Sequence, residues 1–262
     1  MLSTDEWIAA LIERHTASLT RPEFLKSIRA LSARYVERRS ALEGRSALDS
    51  AGKRAAFAAF YAPLHFLTMR AIVQELGVAA PATSPATTID TIVDLGCGTG
   101  VAGAAVAMAY AKAPRLEGVD LHPWAVDEAR WNLRTLGLPG TARRGSLEQR
   151  LSAFAGSRGA LDTTAIVCGW SLNELPHQRR TLAIDALLGL PSRGAALLIV
   201  EPIARRLVPW WDAFATRAVA AGGRSDEWRF PPALPPALAD LDEAAGFDRE
   251  ALSARSVSFH FS

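Results

Sequence analysis

Apolar positions recur at steps of three and four through the first seventy-odd residues, and each run carries helix-start or helix-stop signals. Trp7, Ile8, Leu11 and Ile12 mark one face, entered through Ser3 with Glu6 three residues on, a capping box. Phe24, Ile28, Leu31 and Tyr35 mark a second, entered through Thr20, Pro22 and Glu23. Gly44 ends that pattern. Ser50 caps a third helix through Phe57 and Phe60, Tyr61-Ala62-Pro63 reads as a break, and Leu64 to Leu76 forms a fourth helix ended by Gly77. Arg29, Arg34, Arg38 and Arg39 are interleaved with Glu37 and Glu43, so they read as a solvated face rather than a phosphate-binding one. Residues 1–80 are therefore expected to form an all-helical layer. Residues 79–88, rich in Ala, Pro and Thr, read as a surface connection.

From residue 89 the period changes. Short apolar runs, Ile92–Leu95, Leu116–Asp120, Ala165–Cys168 and Ala195–Glu201, with a weak strand signal at Thr141–Gly145, alternate with helix-favouring stretches over 101–111, 124–136 and 207–221. Strands alternating with helices predict an α/β fold with a mostly parallel sheet. Ala195–Glu201 is almost wholly apolar, as suits a central strand covered on both faces. Leu238–Ala245 reads as a helix. Ser256–Phe261, alternating Val257, Phe259 and Phe261, reads as a half-buried edge strand. No internal repeat is visible, and 89–262 is expected to be one domain beside the helical layer.

The chemistry concentrates at Asp94-Leu-Gly96-Cys97-Gly98-Thr-Gly100, between the first strand and the following helix. Glycine tolerates positive φ and has no Cβ to hold a ligand off the backbone. A helix start adds unpaired N–H donors and partial positive charge. Asp120 closes the next strand 24 residues after Gly96, where a carboxylate can accept both hydroxyl hydrogens of a ribose. A helix-capping role is the plainer alternative for Asp120. The acid-x-G-x-G-x-G spacing is not the G-x-G-x-x-G of dinucleotide sites.

This segment resembles motif I of the Rossmann-like (class I) S-adenosylmethionine (SAM) methyltransferases. The resemblance implies an α/β Rossmann-like methyltransferase sandwich with a mostly parallel central sheet and an N-terminal all-helical layer. It further implies SAM as cofactor, with Asp94, Gly96, Cys97, Gly98, Gly100, Asp120 and Leu121 around it. Ser146 and Leu147 stand where the family often has an acid facing adenine; Ser146 reads more readily as a helix cap. Trp170 is a stacking candidate, and Tyr61, His65 and Arg70 are candidates for a ligand-facing helical cap. Trp170-Ser-Leu-Asn-Glu-Leu175 follows the fourth strand, where ligands of doubly wound sheets lie. Asn173 and Glu174, with Glu201 at the end of the fifth strand, are therefore the catalytic candidates for orienting an acceptor or taking its proton. The Asn/Asp-Pro-Pro-aromatic motif of many amino-group methyltransferases is absent.

Composition changes this picture little. The chain has 262 residues, 49% hydrophobic, and a net charge of +2, which argues against a protein held to nucleic acid by bulk charge. Cys97 and Cys168 are too few for a four-cysteine metal site, and no metal is expected. The start lacks the pattern of a signal peptide, and no apolar run is read as long enough to cross a bilayer, so a cytoplasmic protein without a membrane partner is expected. Ser171–Leu175, Leu198–Pro202, Glu227-Trp-x-Phe230 and Ala244–Arg249 resemble, more narrowly, the methyltransferase-like proteins of the small ribosomal subunit. The cysteine cluster of that family is replaced here by Gly222–Asp226, so an iron–sulfur centre and a ribosomal role are not supported. The expected function is methyl transfer from SAM, with a small-molecule acceptor slightly favoured over RNA. The alternatives are a SAM-binding, RNA-associated protein without catalysis and an NAD(P)-dependent oxidoreductase.

Overall fold

The structure, a computed structural model, describes residues 2–37, 48–78, 88–156 and 159–261. Its helices are α1 (Thr4–Thr16), α2 (Arg21–Glu37), α3 (Ala51–Ala56), α4 (Ala62–Glu75), α5 (Val101–Ala107), α6 (Pro123–Thr135), α7 (Leu147–Gly156), α8 (His177–Leu188), α9 (Trp211–Ala220) and α10 (Pro236–Ala244). Its strands are β1 (Thr91–Leu95), β2 (Arg115–Asp120), β3 (Gly140–Arg144), β4 (Thr164–Gly169), β5 (Ala196–Glu201), β6 (Arg224–Phe230) and β7 (Leu252–Phe259).

The contacts divide the chain into two units, and not at the expected border near residues 80–89. One unit takes Met1–His65 together with Phe230–Leu252; the other takes Phe66–Arg229 and Ser253–Ser262. The reason lies in α10 and its flanks, which pack with the N-terminal helices. Arg21 meets Asp240 at 2.9 Å, and Phe60 stacks on Phe247 at 5.8 Å between centroids. Within this first unit the capping box forms as read: Glu6 N–H donates to Ser3 Oγ, and Ser3 N–H to Glu6 Oε2. At the start of α2 the Thr20 N–H and the Thr20 hydroxyl both donate to Glu23 Oε2. Arg38, Arg39, Glu43 and Gly44 lie outside the described residues, as does most of the 79–88 connection.

The break expected at Tyr61–Pro63 does not occur. Phe57–Tyr61 is a π-turn that joins α3 to α4 in one run, with Ala62 N–H donating five residues back to Phe57 O. The widened turn shifts the bonding register just ahead of Pro63, whose missing N–H would otherwise interrupt it. The result, Ala51–Glu75, is long and apolar enough by length and composition to cross a membrane, contrary to the sequence reading. However, 72% of its most apolar window is buried inside the protein, as in a core helix.

The second unit holds a seven-stranded sheet ordered β3-β2-β1-β4-β5-β7-β6. β1 to β5 are parallel, and β7 enters antiparallel to β5. The edge placement expected for the last strand is therefore wrong. β6, missed in the sequence, takes the edge, and β7 is buried along nearly all its length. Alternation sorts the strand residues. Val93, Leu95, Val119, Ile166, Cys168, Leu197 and Ile199 pack with α7, α8 and α9 into one core cluster. On the opposite side Cys97, Ala142, Val126 and Ala129 form a smaller cluster under α6. The strand ends that carry Asp94, Asp120, Gly169 and Glu201 thus lie along one rim of the sheet.

Candidate active site

The loop from Leu95 to Val101 is held by its own backbone. Cys97 N–H donates to Val119 O at 2.9 Å and Gly100 N–H to Cys97 O at 2.7 Å. Asn132 on α6, fully buried, donates its side-chain amide to Thr99 O at 2.9 Å. Gly96, Gly98 and Gly100 all have positive φ, at 69°, 52° and 77°. Gly96 has a second constraint: a Cβ there would sit 2.6 Å from Ser171 Cβ. That glycine lets the β1 and β4 loops touch, a packing role beside the ligand role expected of it.

Asp120 points at this loop. Its Oδ2 accepts the Gly98 N–H at 2.9 Å and its Oδ1 the His122 N–H at 2.8 Å. The second bond is a local turn contact and not the capping alternative, since His122 is the N-cap of α6 and that helix has no side-chain cap. Each carboxylate oxygen has a further lone pair, so two acceptor positions remain beside the glycines. Leu121, next to it, is 57% exposed, an apolar side chain left without cover at the strand end.

Asp94 lies deeper. It is fully buried, and its Oδ2 accepts the Gly103 N–H at 2.9 Å, which anchors the start of α5. A Cβ on Gly103 would come within 2.7 Å of that same oxygen, so the close approach needs glycine. Oδ1 is buried with no partner among the described residues. Burial pushes the Asp94 carboxyl up to about 7; the Gly103 bond pulls against this, and the Asp120 charge adds to it. An orphaned buried acceptor under a glycine loop fits a cationic group above it.

At the other strand ends, Trp170 follows β4 with φ 54°, a left-handed conformation that a bulky residue rarely adopts, and its N–H donates to Val200 O at 2.7 Å. Asn173, in a short 3₁₀ turn, donates its backbone N–H to Glu201 Oε1 at 3.0 Å and its side-chain amide to Glu201 Oε2. Glu201 is fully buried. Its two oxygens hold Asn173, so it fixes the Trp170–Leu175 segment rather than presenting a free base. Glu174, by contrast, is exposed.

The remaining candidate side chains are committed to packing and capping. The Cys97 side chain packs into the α6 cluster, and burial pushes its thiol well up. Ser146 caps α7, its Oγ accepting the Gln149 N–H at 3.1 Å, and Leu147 is a core residue. The Tyr61 hydroxyl, in the helical unit, donates to Ile28 O at 3.2 Å, and burial raises it to about 12. His65 stands edge-on to Phe57, and Arg70 lies over the Phe66 ring. Sequence reading missed Asn132; its only signal was an amide inside an apolar helix face.

Residues 81–155 match the family model of the methyltransferase small domain. With the seven-stranded fold, that match makes this part of the chain similar to the class I SAM-dependent methyltransferases, a likeness that implies SAM as cofactor. An O-methyltransferase family protein from Burkholderia thailandensis has a similar fold, with TM-score 0.53 and 21% identity over 82% of this chain. This chain spans 61% of that protein's length. The plantazolicin methyltransferase BpumL, solved in complex with SAH, aligns with TM-score 0.49 and 12% identity, over 89% of this chain and 95% of its own. No curated protein matches the sequence.

Proposed function

We propose that this chain transfers a methyl group from SAM to a small-molecule acceptor. The observation that carries the reading is Asp120, which the β2 end turns onto the Gly98 N–H with two lone pairs still open. Bound SAM would supply a methyl on a sulfonium, which an acceptor's lone pair takes as the carbon–sulfur pair returns to sulfur, leaving S-adenosylhomocysteine. The chain's own work is binding and alignment, which in well-oriented systems accounts for roughly 7–11 kcal/mol of a barrier. Asp120 would hold the sugar hydroxyls, Leu121 would cover an apolar face of the base, and Asp94, buried beneath the glycine loop, would supply negative charge near the amino end. Trp170 and Asn173, locked by Val200 and Glu201, orient the acceptor, and Glu174 takes its proton where one must leave.

The small charge surplus and the aromatic residue at the β4 end support a small molecule over RNA. Calorimetric titration with S-adenosylhomocysteine tests the cofactor, with NAD and NADP as the opposing arms. Labelled SAM offered to small-molecule, RNA and protein fractions of a lysate tests the acceptor. Heat with NAD but none with S-adenosylhomocysteine would overturn the reading, and label confined to RNA would overturn the acceptor class. Binding without label in any fraction would favour a non-catalytic SAM-binding protein.

A further inference from the structure

The sheet has two outer strands, β3 and β6, and they differ in charge. β3 carries Arg143 and Arg144 and no acid, so two copies meeting there would gather guanidiniums alone. β6 carries both signs, with Arg224, Asp226, Glu227 and Arg229. An outer strand turns a row of backbone donors and acceptors to the side that has no neighbouring strand, a template for a further one. Side chains alternate along β6: Ser225, Glu227 and Arg229 are exposed on one face, and Asp226 and Trp228 are half-buried on the other. Two side-chain bonds fix the strand against β7. Trp228 Nε1–H donates to Ser256 Oγ at 2.8 Å, and Glu227 Oε1 accepts from the buried Arg255 at 2.7 Å. The Glu227 side chain is still 51% exposed, so its charge reaches the surface.

In an antiparallel pair with two-fold symmetry, one residue faces its own copy and its neighbours pair symmetrically about it. That leaves few registers for β6. Centring on Asp226, Glu227 or Arg229 sets a charge against the same charge. Centring near either end of the strand leaves only a short overlap. Centring on Trp228 pairs the stretch 226–230, sets Glu227 against Arg229 twice, and brings the two Trp228 side chains together on the other face. We infer that β6 is a self-association edge, to which a second copy of this chain adds its own β6, antiparallel about Trp228. Pro231 and Pro232, which have no N–H to donate, end the ladder just beyond. The short span makes a weak, concentration-dependent dimer, and the association does not depend on methyl transfer.

The test uses the full chain. Sedimentation equilibrium is run on wild type and on Arg229→Glu, which sets acid against acid at both pairs. The expected result is a monomer–dimer equilibrium in wild type whose dissociation constant rises at least about tenfold in the variant. The register is read with Glu227→Cys and Arg229→Cys. Facing residues lie within disulfide reach, whereas 227 and its own copy are offset by about 7 Å along the ladder and lie beyond it. Oxidation should therefore link the mixture of the two variants and neither variant alone, with wild type as the control because Cys97 and Cys168 are buried. A single cooperative melt for each variant shows that it is folded. Wild type that stays monomeric up to about 300 µM, or equal dimerisation of Arg229→Glu, overturns the inference. Growth beyond a dimer, with β6 of one copy joining β3 of the next, overturns the two-fold assignment, as does equal cross-linking of either cysteine variant alone.

Discussion

Replacing Asp94 with Asn gives a sharp check on the electrostatics under the glycine loop. Asn keeps an oxygen to accept the Gly103 N–H and removes the charge. In the fold the Asp94 carboxyl titrates near 7, against 3.8 for an ordinary Asp. The folded state therefore holds a proton that the unfolded chain releases, and stability is full below pH 4 and lost as pH rises to 7. Each tenfold in proton affinity is worth about 1.4 kcal/mol, so the whole loss is about 4 kcal/mol, of which about 3 falls between pH 5 and pH 8. The Asn variant does not titrate there. Urea unfolding of both proteins across that range should show wild type losing about 3 kcal/mol relative to the variant. A difference that stays flat within about 1 kcal/mol would refute the argument, because burial would then not be acting on this carboxyl. A companion measurement uses the ligand: an ammonium over Oδ1 favours the ionised form, so S-adenosylhomocysteine binding at pH 7 should release about half a proton, seen as a buffer-dependent heat.

Asp120→Ala removes two charged acceptors and should weaken S-adenosylhomocysteine binding roughly 10- to 100-fold, given about 1.5–3 kcal/mol for hydrogen bonds to a charged group; unchanged calorimetric affinity would speak against a ribose partner. Glu201→Gln should lower the methyl-transfer rate by at least about tenfold with S-adenosylhomocysteine affinity kept within about threefold, because the Asn173 segment loosens while the glycine loop does not. Gly96→Ala combines positive φ with a clash against Ser171, about 2–4 kcal/mol, and should lower the melting temperature by roughly 5–10 °C in a thermal scan.

The sequence carried the parallel strands and the glycine loop because both are local: apolar runs bounded by glycine, and an acid spaced from a second acid by one strand–helix–strand unit. It carried less where the determinant is distant. Asn173 and Glu201 are separate strand-end residues until the sheet sets β4 beside β5, and nothing in either segment announces the pair. β6 was invisible because an edge strand needs only Trp228 and Phe230 as apolar markers among Arg, Asp and Glu. Pro63 misled for the opposite reason: its local message was correct, but a π-turn upstream absorbed it. The Leu147 and Cys97 assignments followed motif position, while strand and helix parity turned those side chains into the core.

The helical unit is sewn from the two ends of the chain, its first stretch closing at His65 and its second running from Phe230 to Leu252. A ribosome making this protein releases α1 and α2 long before the residues that complete their surroundings exist. The earliest helices are thus among the last to find their full set of neighbours: α1 meets α3 and the π-turn after it early, but α10 only when nearly the whole sheet has been synthesised. Shortening the chain from its far end should therefore make its beginning vulnerable to proteolysis.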